Sequence, residues 1–174
     1  MRKEKSTKKN QPPKIYVSET KKLDITKLEN EFYRADLILH GLDHSGPSYQ
    51  GKVFLNNPNA NHETPNDPIQ GYVGSFFIFG HGGCLGNIGH CDALRPSTRF
   101  NMIPNQLLPE TISLKITNKL KELGKTNKEF TITIVPELAN GSEIVCQDDA
   151  DLNNVIKLDR ISIETYDKDE EIKD

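Results

Sequence analysis

Apolar and polar positions alternate with a period of two over much of the chain. That period marks extended strands with one buried face. Phe32 to Leu42 (FYRADLILHGL) carries Leu37 and Leu39 in alternation and closes on Gly41. Tyr49 to Asn56 (YQGKVFLN) sets Val53 and Leu55 on one face, then enters NNPNANHETPNDP, a loop rich in Asn and Pro. Tyr72 to Phe79 (YVGSFFIF) is aromatic and β-branched, the composition strands prefer. Thr111 to Ile116 (TISLKI) and Phe130 to Val135 (FTITIV) alternate as well, the second stopping at Pro136. Ile144 to Cys146 and Val155 to Ile163 (VIKLDRISI) complete the set. One helix is predicted, with Thr117 as N-cap, Leu120 and Leu123 three apart, and Gly124 as the left-handed residue past its end. At about two turns it must lean on the sheets to persist. About seven short strands and one short helix predict an all-β fold, an antiparallel β-sandwich.

Composition bounds the picture. The 174 residues hold 34% hydrophobic and 27% charged residues, enough apolar content for one folded domain and too much for wholesale disorder. No apolar run reaches the roughly 18 residues of a membrane helix, which excludes a helical membrane span. The basic start MRKEKSTKKNQPPK has no apolar segment behind it, so no secretory signal is read in the chain as written and a cytoplasmic location is expected. Charge is uneven. The first 22 residues carry eight basic and two acidic side chains, net +6, which leaves −9 for the remainder of a chain at −3. Residues 1–28 are read as a disordered basic arm, 29–166 as the sandwich and 167–174 as a solvated acidic tail. The overall negative charge argues against nucleic acid as the partner, and the arm is read as a solubilising terminus.

The most unusual passage is Gly80 to Asp92 (GHGGCLGNIGHCD), with five glycines between Gly80 and Gly89. So many glycines disfavour a helix or a central strand and let the backbone fold back on itself. Such a loop can bring His81, Cys84, His90 and Cys91 together. Two imidazoles and two thiolates make a soft, roughly tetrahedral donor set that suits Zn or Cu. The H-x2-C-x5-H-C spacing is no standard zinc-finger pattern, however. A Cys84–Cys91 disulfide, ordinary buried thiols, and histidines bonded to loop carbonyls remain as alternatives. Three cysteines in all do not make a disulfide framework.

His40, Asp43, His44 and Ser45 lie in LHGLDHSGP. Gly41, Gly46 and Pro47 make this a strand end entering a turn, with Asp43 and Ser45 as turn formers. A small enzyme that uses these residues with the glycine loop is a further alternative, although adjacent residues rarely build a triad. His62 is expected to be solvent-exposed in the Asn/Pro loop. No Walker loop, no G-x-G-x-x-G opening a helix after a strand, no H-E-x-x-H and no C-x-x-C occurs.

With these residues in view, the chain resembles the C-terminal β-sandwich domain of the tyrosinase and polyphenol oxidase family, in its bacterial branch. YQGKVFL (Tyr49 to Leu55) and GYVGSFFIF (Gly71 to Phe79) with His81 are similar to that domain's "K-F-D-V-F" and "E-F-A-G-S-F" strands and the histidine they lead to. LKITNKLKEL (Leu114 to Leu123) and FTITIVP (Phe130 to Pro136) resemble its "I-T-D-L-L-E" helix and "V-T-L-V-P" strand, and Val155 to Ile163 its closing strand. The pieces span residues 30 to 165 in order. The family's coupled copper centre takes three histidines on each copper, on paired helices of a separate catalytic domain. Five histidines without helical pairs do not make that centre. The resemblance therefore implies a chain that is not an enzyme by itself. It implies an accessory domain that packs over a tyrosinase-like di-copper oxidase and shields its copper entrance. In some relatives this domain carries a Cys motif proposed to deliver copper, but Cys84 and Cys91 depart from its C-x-x-C spacing.

Overall fold

The structure, a computed structural model, describes residues 14–18, 21–22, 32–81, 108–123, 129–139 and 154–167. Among them are nine strands: β1 (Tyr16–Val17), β2 (Lys21–Lys22), β3 (Arg34–Leu42), β4 (Tyr49–Leu55), β5 (Tyr72–Ile78), β6 (Glu110–Lys115), β7 (Glu129–Phe130), β8 (Ile132–Leu138) and β9 (Arg160–Tyr166). A single-turn 3-10 helix (Pro68–Gln70) and one α-helix, α1 (Thr117–Leu123), complete the described elements. One sheet runs β1-β8-β4-β5 and a second runs β6-β3-β9, while β2 and β7 form a small ribbon. Every pairing is antiparallel. The fold is the expected all-β antiparallel sandwich with one short helix.

Register explains the core. In β3, Leu37 stands opposite Leu114 and Ile163, and Leu39 opposite Ile112 and Ile161. In the other sheet Val53 faces Ile134, Leu55 faces Ile132, and Tyr49 lies between Ile78 and Leu138. These two inner faces join in one hydrophobic cluster with Leu120 of the helix. Each fully buried Leu, Ile or Phe contributes roughly 1.5–3 kcal/mol. Leu37, Leu39, Val53, Ile132 and Ile134 are all 0% exposed, so this shared layer is the main source of stability.

The strand boundaries differ from expectation in four places, each for a local reason. β8 runs through Pro136 to Leu138. Its neighbour β1 pairs only Ile134 and Thr133, so Pro136 sits beyond that pairing, where an edge tolerates a missing N–H. The last strand spans Arg160–Tyr166 and not Val155 to Ile163. Val155 and Ile156 are buried in the core as irregular chain, because Asp43 N bonds Lys157 O (2.9 Å) and Asp159 N bonds His40 O (2.9 Å). That crossing packs Asp159 onto a bulge in β3, where Gly41 has φ +67° and a Cβ would lie 2.1 Å from Asp159 Oδ2. Thr117 is the first helical residue, and its Oγ1 accepts from Ala35 N (3.0 Å), so it ties the helix to β3 and does not cap it. Finally, Tyr16–Val17 and Lys21–Lys22 form strands inside the stretch expected to be a disordered arm. Val17 pairs with Thr133 and Lys21 with Phe130. The Ile15-Tyr16-Val17 triplet is the apolar exception in that basic stretch, and Tyr16 and Ile15 pack against core residues. The expected strand Ile144 to Cys146 lies outside the described residues, as does Gly124.

Candidate functional site

The chemistry-bearing side chains meet at one rim of the sandwich, between the β3–β4 turn, the end of β5 and the start of β6. The turn is built by Asp43, whose Oδ1 accepts from Ser45 N at 2.8 Å. This places His44 inward, only 7% exposed. His44 Nε2 lies 2.7 Å from Leu108 O. A carbonyl only accepts, so Nε2 carries the proton in that bond. His44 Nδ1 then faces Glu110 Oε1 at 3.4 Å.

The end of β5 is brought in by its backbone. Gly80 N donates to Ser48 Oγ (3.0 Å) and His81 N donates to His44 O (2.8 Å). The approach is so close that a Cβ on Gly80 would lie 2.2 Å from Gly46 O, which only glycine permits. The His44 and His81 rings meet edge to face, 5.2 Å apart at 87°, and Phe79 stands edge to face on His81 at 5.8 Å. Tyr49, at the start of β4, is 2% exposed, and its hydroxyl has no hydrogen-bond partner among the described residues. Burial, and then the nearby Asp43 and Glu110 carboxylates, push its phenol well above the ordinary tyrosine range. The corner thus joins two imidazoles with the Glu110 carboxylate, and Asp43 and Glu110 are the charges nearest the buried Tyr49 phenol. At its lip Phe79 is 77% and Leu108 67% exposed.

Of the four residues proposed to bind Zn or Cu, His81 lies in this corner. Cys84, His90 and Cys91 lie outside the described residues. Among the described residues no group of three or more His, Cys, Asp or Glu is placed to hold a metal ion. His40 does not join His44. It points to the outer face of its sheet, with Nε2 2.7 Å from Ser162 Oγ, which divides the His40/Asp43/His44 set. His62 is half-buried where exposure was expected. Glu110, Leu108 and Tyr49 escaped the sequence reading, because their role comes from strand register and not from spacing. A cleft of about 390 Å³ between Pro68, Tyr72, Ile116 and Lys119 sits at the opposite end of β5 and does not touch this corner.

The fold and the corner define an antiparallel sandwich with a histidine pair at its rim, His44 buried and His81 half-buried. No family model and no curated protein sequence matches the chain. Among solved structures it is similar to latent aurone synthase, a polyphenol oxidase, from natural source. The TM-score is 0.50 at 17% identity, covering 91% of this chain and 26% of that one. Recombinantly expressed latent aurone synthase gives a TM-score of 0.48 at 18% identity, with 91% and 26% covered. The chain spans about a quarter of the length of these solved structures. At this identity the likeness is one of fold. Among the described residues no helix is long and apolar enough to cross a membrane.

Proposed function

We propose that the chain is a non-catalytic accessory sandwich that associates with a tyrosinase-like di-copper oxidase and shields it. The observation that carries this reading is the overlay of 91% of the chain on about a quarter of a latent polyphenol oxidase. Two features support it. The strand and helix strings that resemble the family's C-terminal domain lie in β4, β5, β6, α1 and β8 in the order that domain has them. The lip of the histidine corner also leaves Phe79 and Leu108 exposed, and apolar side chains grouped at a rim suit contact with a second body. The oxidase supplies the copper chemistry. This chain contributes contact surface.

Affinity purification of the tagged chain from its native cells tests the reading. A di-copper oxidase is expected in the eluate, identified by mass, by copper content and by diphenol oxidation. The Phe79→Ser/Leu108→Ser double variant is expected to lose it. Recovery of no copper protein with the wild-type chain would overturn the assignment.

A further inference from the structure

We propose that the free edge of β5 pairs with the same edge of a second copy of this chain, forming a two-fold dimer with a continuous sheet. β5 is the last strand of its sheet, so one side of its backbone has no partner strand among the described residues. At its start β5 packs against β6 across the core, where a Cβ on Gly74 would lie 3.8 Å from Leu114 Cδ2. From Ser75 to Ile78 no described strand pairs with that edge, and on the outer face beside it Phe77 is 70% and Phe79 77% exposed.

Charge selects the occupant. Exposed edges are protected by charged side chains and by proline. β6 carries Glu110 and Lys115, and β9 carries Arg160 and Glu164, whereas Gly71 to Gly80 holds no charged residue. An antiparallel copy therefore meets no like charge along this edge. Shape selects it too. Antiparallel pairing about an axis through Phe77 puts Phe77 opposite its copy, and Ser75 opposite Phe79 of the copy. The small Ser75 leaves room for that ring. Four phenyl rings then line one face, while Phe76 and Ile78, already buried, face each other across the axis on the core side. Four rings about three-quarters exposed offer at most on the order of 600 Å² for burial, well under half of the roughly 1,600 Å² of a standard interface. The strand edges add to this, and the result is a weak, concentration-dependent dimer.

The test uses the purified full chain alone, so it does not depend on the oxidase. Light scattering over about a hundredfold range of concentration is expected to rise from the mass of one chain to that of two. Hydrogen exchange at Ser75–Phe79 should slow over the same range. Phe77→Lys sets like charges on the axis and should raise the dissociation constant at least about tenfold with an unchanged melting temperature. Phe77→Ser guards against a folding defect in the lysine variant and should weaken pairing in the same sense. A chain that stays monomeric throughout, a dimer indifferent to both substitutions, or a dimer without slowed exchange at Ser75–Phe79 would each overturn the proposal.

Discussion

The two main sheets share an inner core but treat their outer faces differently. In β6-β3-β9 the outward positions of β3 are polar apart from Ile38, which lies between Asp36 and His40. Arg34 holds Asp36 through Nε at 2.9 Å and Nη2 at 2.7 Å, and His40 meets Ser162 across the β3–β9 pair. In β1-β8-β4-β5 the outward face is partly apolar and covered. Phe54 and Val135, both 0% exposed, pack with Ala60 from the 56–71 connection to form a second small core, flanked by Ile15 and Tyr72. A sheet sealed on one face reads as alternation, and one sealed on both reads as a continuous apolar run. Edge strand β6 (ETISLK) alternates in burial along its whole length, whereas the central strands are buried at five successive positions, Ile132 to Pro136 in β8 and Ala35 to Leu39 in β3, the outward pair in β3 being Asp36 and Ile38.

The largest effect should come from breaking that second seal. Phe54→Ala removes a fully buried ring on the outer face and is expected to cost about 3–5 kcal/mol in urea denaturation. Thr111→Ala, outward on exposed β6, should stay within about 0.5 kcal/mol. If Phe54→Ala proved as mild as Thr111→Ala, the two outer faces would be alike and the contrast would fail.

This contrast also shows what could be read from the residues alone. β3, β4, β5 and β6 were legible because each carries a local signal, either a period of two or an aromatic, β-branched run. The sequence predicts an end to β8 at Pro136, whereas proline's actual cost depends on whether a neighbour strand reaches that far, which is a tertiary fact. Val155 and Ile156 look like strand and are core, but hydrogen bonds to the His40–Asp43 bend hold them irregular. The glycine-rich setting of His81 marks it in the sequence. Its contact with His44 was not legible, since it requires the 36 residues of intervening chain to return through β4 and β5 to the same rim. Glu110 carries no local mark at all. Only the start of β6 beside the turn brings it to His44.

The rim is also where the two sheets are fastened, which gives a second, smaller effect. His44 lies on the turn that carries the chain from β3 to β4, and its ring holds Leu108 just before β6. His44→Ala removes that bond and leaves a space in the corner, at an expected cost of about 1–3 kcal/mol. Hydrogen exchange at the His81 amide, bonded to His44 O, should quicken with it. A variant with unchanged exchange there would show that the turn holds without the ring.

The smallest effect at neutral pH is the sharpest on the environment of the corner. Tyr49 belongs to the doubly sealed sheet yet faces Asp43 and Glu110, and burial raises its phenol above the ordinary value. An unfolded tyrosine loses its proton near pH 10, while the folded one keeps it to higher pH. The stabilising contribution of the neutral buried phenol is therefore complete below about pH 10 and is lost as pH rises beyond it. Tyr49→Phe should change stability by no more than about 1 kcal/mol at pH 7, because its hydroxyl has no hydrogen-bond partner among the described residues. Above about pH 10 the same variant should lose less stability than the wild type, flattening the alkaline limb of the denaturation midpoint against pH. Tyr166 is the control on the polar sheet. Its phenol is also raised, through desolvation and a hydrogen bond to Glu164, but it is 42% exposed, so Tyr166→Phe should leave most of that limb in place. Equal flattening by both variants would mean that Tyr49 is no more isolated from solvent than the edge tyrosine.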